Sequence, residues 1–312
     1  MVSGRRFISV TDSHLDVASG RTQYCLPMFD DILVPTDGSD CAQAAVGYAE
    51  DLATRYEARV HTLCVADSRT LENAPQYDQV KQERAELAER TCNDLSVSGI
   101  PVEKAVRTDV PHRAILQYAT EQDIDLVVMG THGRTGVERY LLGSVTEKVV
   151  RLSDVPVLTV KAEDDGDASH PYTDILVPTD GSEGAKAAIG PAVDVASTYD
   201  ARLHALSVID TMAMGVDVRS GTFLEALEES ARSAVDTVEE QASHASVSAV
   251  DTAIEHGEPY RGVRSYVEEH DVDLVVMGTR GSSGIERYLL GSVTERTVRT
   301  SPVPVMTVRQ SE

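Results

Sequence analysis

Tryptophan is absent from this 312-residue chain, and aromatic residues make up only 4% of it. That scarcity excludes the aromatic stacking series by which proteins hold single-stranded nucleic acid. Positive charge is short as well. Lys and Arg number 28 against 51 Asp and Glu, for a net charge of −23. Such a field repels nucleic acid and anionic membranes, so neither is expected as a partner. No run approaches the roughly 18 apolar residues of a membrane-spanning helix. The first 27 residues have no apolar signal-peptide core. The four cysteines, Cys25, Cys41, Cys64 and Cys92, all fall in the first third and show no CxxC or metal spacing. These absences point to neutral or buried thiols in a reducing cytoplasm. Lysine is scarce and most positive charge is arginine. The acidic, lysine-poor composition reads as a high-salt (halophilic) adaptation, with an ordinary acidic cytosolic protein as the alternative.

What the chain does have, it has twice. DILVPTDGS occupies Asp31–Ser39 and again Asp174–Ser182. ERYLLGSVTE occupies Glu138–Glu147 and Glu286–Glu295, and DLVVMGT occupies Asp125–Thr131 and Asp273–Thr279. The blocks keep their order, at a period far longer than the roughly 20 to 50 residues of a solenoid repeat. A whole domain is duplicated. The second half has Gly184 and Ser207 where the first has Cys41 and Cys64, so cysteine does not staple the shared fold. The pattern divides the chain into an extension at 1–28, a domain at 29–161, a polar linker at 162–171 and a second domain at 172–309. The extension matches nothing in the second half, and Met28 is a candidate for the true start.

Each half alternates apolar runs of strand length with helically spaced segments. In the first half the strands are placed at Asp31–Pro35, Arg59–Val65, Val102–Arg107, Asp125–Met129 and Val155–Val160. In the second they are placed at Ile175–Pro178, Arg202–Val208, Ser248–Ile254, Leu274–Met277 and Val303–Val308. One continuous helix is expected over Glu183–Tyr199, the counterpart of Asp40–Tyr56. Ser39 or Asp40 is placed to cap the latter. Strand–helix alternation with near-continuous apolar strands argues for a parallel sheet covered on both faces.

Open parallel sheets bind ligands at the carboxyl ends of strands, where strand order reverses. Two segments compete for that place in each half. One is Thr36-Asp37-Gly38-Ser39, repeated as Thr179-Asp180-Gly181-Ser182. The other is a loop spaced Gly, two residues, Gly, nine residues, Gly-Ser, then a helix. Its glycines are Gly130, Gly133 and Gly143, and in the twin Gly278, Gly281 and Gly291. Glycine permits tight turns and close approach to a ligand. Free amides at the following helix start, with the helix dipole, favour phosphate oxygens. The competing structural explanation is local: Ser144-Val-Thr-Glu147 and Ser292-Val-Thr-Glu295 both spell a capping box. GxxxxGK[ST] and GxGxxG are absent, which excludes a P-loop and a dinucleotide-binding fingerprint. GxSxG is absent too, so Ser39 and Ser182 read as helix caps rather than nucleophiles.

With these motifs the chain resembles two universal stress protein (UspA-type) domains in tandem. The G-x2-G-x9-G-[ST] loop after a DLVVMG strand, paired with VPTDGS, is similar to that family's ATP-binding signature. The resemblance implies an α/β fold of two doubly wound, five-stranded parallel sheets, Rossmann-like in the manner of the adenine nucleotide alpha hydrolases, with strand order 3-2-1-4-5. It implies ATP or another adenine nucleotide as ligand, with Mg2+ or Mn2+ carried by the nucleotide. Triphosphate contacts would come from Gly133, Gly143 and Ser144 in a loop opened by Gly130, and from Gly281, Gly291 and Ser292 in a loop opened by Gly278. Asp37 and Asp180 would lie near the ribose and any divalent ion. Val65 and Val208 would offer main-chain groups to adenine. Pro35, Thr36, Pro178 and Thr179 would form the floor. The first loop has a basic residue, Arg134, after its second glycine. The second has Ser282 there and its basic residue at Arg280, so altered or weaker binding is expected in the second half. His132, opposite Arg280, reads as a solvated loop residue, and no catalytic residue is assigned. The family also pairs domains through strand five, so Val155–Leu158 and Val303–Met306 are expected to join within one chain, with further self-association left open. The leading function is an ATP-binding regulatory protein of the stress response. A slow ATPase or phosphotransferase and a nucleotide-free dimerisation scaffold are the alternatives.

Overall fold

The computed structural model describes residues 28–71, 77–133, 142–162, 172–211, 221–281 and 290–310. The extension before Met28, residues 163–171 of the linker and the glycine-loop segments 134–141 and 282–289 lie outside them, Arg134 included.

In the first half β1 (Asp31–Pro35), α1 (Asp40–Tyr56), β2 (Arg59–Asp67), α2 (Ser68–Leu71), α3 (Tyr77–Val97), β3 (Val102–Asp109), α4 (Pro111–Glu121), β4 (Leu126–Gly130), α5 (Ser144–Leu152) and β5 (Val157–Val160) follow in order. The second half runs β6 (Asp174–Pro178), α6 (Glu183–Lys186), α7 (Ile189–Tyr199), β7 (Arg202–Asp210), α8 (Gly221–Ser243), β8 (Ala249–Gly257), α9 (Pro259–Glu269), β9 (Leu274–Gly278), α10 (Ser292–Thr300) and β10 (Val305–Val308). Within each half every strand pair is parallel, and the order is β3-β2-β1-β4-β5 and β8-β7-β6-β9-β10. This is the doubly wound 3-2-1-4-5 sheet, twice.

Local chemistry accounts for most element boundaries. Ile32, Leu33 and Val34, like Leu126, Val127 and Val128, are fully buried, as strands covered on both faces must be. Ser39 caps α1 by accepting from the Ala42 amide at 3.3 Å, and Ser182 caps α6 by accepting from the Ala185 amide at 3.2 Å. Pro111 and Pro259 start α4 and α9, where a missing amide hydrogen costs nothing.

Several expectations need correction. Strands β5 and β10 begin at Val157 and Val305, two residues later than expected, and β3 and β8 run on to Asp109 and Gly257. The helix expected over Glu183–Tyr199 is broken into α6 and α7. Pro191 cannot donate to the carbonyl of Ala187, and its ring crowds that turn. Strands β2 and β7 run on to Asp67 and Asp210, two residues past the expected ends, because β3 and β8 pair with them that far. The capping boxes are not formed either. Gly143 and Gly291 are the N-cap residues, with no side-chain cap bond, and Ser144 and Ser292 are the first helical residues. Glu147 N and Glu295 N donate to the carbonyls of Gly143 and Gly291, each at 2.8 Å, which fixes that register.

The two sheets join at β5 and β10, which pair antiparallel with Leu158 opposite Met306. Thr159 Oγ1 donates to Val305 O at 2.9 Å, and Thr307 Oγ1 to Val157 O at 3.2 Å. Other contacts repeat the same pseudo-twofold. Tyr56 OH donates to Asp194 Oδ2 at 2.7 Å, and Tyr199 OH donates to Asp51. Lys161 Nζ donates to the carbonyls of Arg299 and Ser301 at the end of α10, and Arg309 Nη1 to that of Leu152 at the end of α5. Cations at helix C-termini meet the negative end of the dipole. Burial pushes the Lys161 amine down to about 8. One continuous core spans both halves on the α1/α7 face, and each half has its own core on the other face. Leu142 is buried in the core of the second half, and Leu290 packs against that of the first.

Candidate functional site

The reversal of strand order falls between β1 and β4, and between β6 and β9. There β1 and β4 pair only through Ile32–Leu126 and Leu33–Val127, then diverge, which opens a crevice at their carboxyl ends. The second half repeats this through Ile175–Leu274 and Leu176–Val275.

In the second half the crevice holds a cavity of about 450 Å³. Every residue picked from the sequence of that half lines it: Pro178, Thr179 and Asp180 from the end of β6, Val208 from β7, Gly278, Arg280 and Gly281 after β9, and Gly291 and Ser292 at the start of α10. Sequence reasoning missed the far wall, where Leu227, Ser230 and Ala231 of α8 and Pro259 and Val263 of α9 complete the lining. Helical patterning marks those faces as buried but cannot say that part of the burial is against an open space.

The glycines divide into two kinds. A Cβ on Gly278 would lie 2.6 Å from the Gly184 carbonyl carbon, and one on Gly130 would lie 2.7 Å from Cys41 Cβ. These two let the first helix of each half pack against the central strand. The second glycine of each loop instead faces the carboxylate across the cleft. A Cβ on Gly133 would come within 2.5 Å of Asp37 Oδ2, and one on Gly281 within 2.6 Å of Asp180 Oδ2. The two sequence segments thus meet, main chain against carboxylate.

The Gly143 amide donates to Thr131 O at 2.8 Å and the Gly291 amide to Thr279 O at 2.9 Å, which closes each loop. Thr146 Oγ1 and Thr294 Oγ1 donate to the Gly130 and Gly278 carbonyls at 2.8 Å, tying α5 and α10 to their strands. The amides of Ser144, Val145 and Thr146 precede the first i→i−4 bond of α5, and those of Ser292, Val293 and Thr294 precede that of α10. Ser292, Val293 and Thr294 line the cavity. The serine side chains are exposed, not engaged as caps. Such a helix start is suited to phosphate or carboxylate oxygens.

The opposite end of the cleft offers main-chain groups. Thr36 N donates to Leu63 O at 2.9 Å, and Thr179 N to Leu206 O at 2.8 Å. Strand alternation then turns the N–H and C=O of Val65 and Val208, two residues on, toward the same side. On that side β1 and β6 have already ended at Pro35 and Pro178. Pro35 is buried and Thr36 nearly so, as a floor requires.

The first cleft has the same frame and different furniture. Arg84 of α3 donates from Nη1 to Asp37 O at 3.2 Å. Arg69 forks onto the Asp67 carboxylate at 2.9 and 2.6 Å and holds it below the usual carboxylate range. Burial, then the charges of Lys148, Arg113, Arg69 and Arg151, hold the His112 imidazole below its ordinary value. His132 Nε2 lies 3.4 Å from the buried Cys41 Sγ.

Comparison with known proteins agrees with this frame. The family model described as "Universal stress protein family" matches residues 28–161 and again 171–309. A universal stress protein of Methanocaldococcus jannaschii is 34% identical over 141 residues, 43% of this chain and 83% of that relative. The crystal structure of a universal stress protein from Archaeoglobus fulgidus covers 90% of this chain and 99% of its own, with TM-score 0.67 and 26% identity. A further universal stress protein, solved in complex with cAMP, is 25% identical over 44% of this chain and 99% of its own, with TM-score 0.37. This chain belongs to the universal stress protein family and carries two of its domains in tandem.

Proposed function

We propose that each domain binds an adenine nucleotide in the cleft between its first and fourth strands, and that the protein acts in the stress response as a nucleotide-dependent regulator. One observation supports this reading: the nine residues of the second half named from the sequence motifs and the family resemblance line one cavity, together with the first residues of α10. Phosphates would sit on the amides that begin α5 and α10, between Gly133 and Ser144 and between Gly281 and Ser292. Adenine would meet the main chain of Val65 or Val208, above Pro35 and Thr36 or Pro178 and Thr179.

A divalent ion fits only as a guest of the phosphates. Mg2+ commonly takes one or two carboxylates plus substrate oxygens. Among the described residues no group of three or more His, Cys, Asp or Glu forms a metal cage. Asp37 and Asp180 are the side chains placed to hold such an ion, which would neutralise phosphate charge. Asp180 Oδ1 already accepts from Ser182 N at 3.0 Å and Ser182 Oγ at 2.5 Å, which orients the carboxylate.

A ligand that binds only the folded state stabilises it by RT ln(1 + [L]/Kd), about 2.7 kcal/mol at 100-fold excess over Kd. Thermal melting in high salt with and without ATP and Mg2+ tests the proposal, alongside chromatography of whatever the purified protein releases on denaturation. A rise in Tm and a released adenine nucleotide are expected. An unchanged Tm with no nucleotide released would remove it.

A further inference from the structure

The buried positions of the two long helices set their correspondence. Ala88, Thr91 and Leu95 of α3 take the places of Val235, Val238 and Ala242 of α8. On that register Arg84 stands where the second domain has Ala231. Ala231 and Asp180 both line the open cavity, so the space between them belongs to it. In the first domain Arg84 bridges the same span, from its helix to the Asp37 carbonyl.

The charges around the two mouths differ in the same sense. In the second domain Glu258 pairs with Arg296 at 2.7 Å and Arg261 at 3.0 Å. The first domain has Val110 in place of Glu258, beside Lys148 and Arg113, the counterparts of those arginines.

We propose that Arg84 makes the first cleft selective for highly charged nucleotides, while the second admits adenine nucleotides with little regard to phosphate number. A guanidinium laid across a cleft must give up its carbonyl when a ligand enters. A polyphosphate offers it a better, charged acceptor in exchange. Adenosine or a monophosphate displaces it with little return. The second cleft has Ala231 at that position, whose side chain cannot make such a bridge. This inference rests on the nucleotide reading above and reverses the sequence-based expectation that the second site is the altered one.

Equilibrium dialysis of adenosine, AMP and ATP, with Mg2+, against two full-length single-site proteins tests it. Gly281→Trp closes the second cleft and reports the first, and Gly133→Trp does the converse. The ATP-to-AMP affinity ratio is expected to be larger in the first cleft by about tenfold or more, the weight of one hydrogen bond from a charged donor. Adding Arg84→Ala to Gly281→Trp should shrink that ratio toward the second cleft's value, mainly by improving AMP binding. Arg84→Gln, a shorter side chain that keeps an amide donor and removes the charge, should act in the same direction. Circular dichroism and melting of every variant show that each is folded. Equal ratios in the two clefts, or a ratio that ignores Arg84, overturn the inference and leave the nucleotide reading standing. Failure of the wild-type protein to bind any of the three overturns both.

Discussion

The first domain has Arg84, Cys41 and His132 around its cleft, where the second has Ala231, Gly184 and Arg280 in the matching positions. Beneath these differences the frames are interchangeable. Each has the same strand order, the same threonine tying helix to strand, and the same buried histidine held between an aspartate and a tyrosine (His61 with Asp31 and Tyr118, His204 with Asp174 and Tyr266). The lesson is about where a duplicated fold can vary. Positions that set the crevice are locked by packing and main-chain hydrogen bonds. Positions that look into it carry no such load.

The largest expected effect tests whether the domains really lean on each other equally. Leu142 is buried in the second domain's core, while Leu290 is only partly buried against the first. Leu142→Ala should cost about 2–4 kcal/mol and Leu290→Ala clearly less, because a cavity is opened only where the side chain is enclosed. Urea denaturation of the two variants measures both. Equal losses would contradict the asymmetry.

A middle-sized effect probes where the domains should be alike. Burial first, and then the aspartate across the interface, holds the Tyr56 and Tyr199 phenols well above their ordinary value. The unfolded chain releases those protons near pH 10, while the folded chain keeps them. The folded state therefore binds more protons above pH 10, and stability falls as pH rises past that point. The slope is at most about 1.4 kcal/mol per tyrosine per pH unit. Urea midpoints at pH 9 and pH 11 should show it, and Tyr56→Phe with Tyr199→Phe should lessen it, the remainder coming from Tyr172, Tyr118 and Tyr266, whose phenols burial also raises. One tyrosine accounting for the whole slope would break the pseudo-twofold.

The smallest effect concerns a difference that ought not to matter. Lys186 pairs with Glu183 at 2.8 Å on an exposed turn of the second domain, where the first has Gln43 and Asp40. Lys186→Gln should change stability by roughly 0–1 kcal/mol, the usual range for exposed ion pairs. A larger loss by thermal melting would mean that α6, shortened by Pro191, depends on that pair.

The frame was legible because its signals are local. Continuous apolar runs such as LVVM announce strands buried on both sides, and the repeat of DILVPTDGS places β1 and β6 without any structure. What failed to show depended on context. The capping-box spelling at Ser144 was real, yet the helix begins one residue earlier in its hydrogen bonding, so the serine is exposed instead of capping. Pro191 was visible, but helical spacing continues on either side of it and hid the break. Arg84 lies on an amphipathic helix like many surface arginines. Only the fold brings it to Asp37, and only the comparison with Ala231 makes that contact informative.

Because β5 and β10 run in opposite directions, the carboxyl ends of the strands in one domain lie beside the amino ends in the other. The two mouths consequently open on opposite rims of the molecule, facing away from each other. No single flat surface can read both at once. A partner that docks at one mouth leaves the other available.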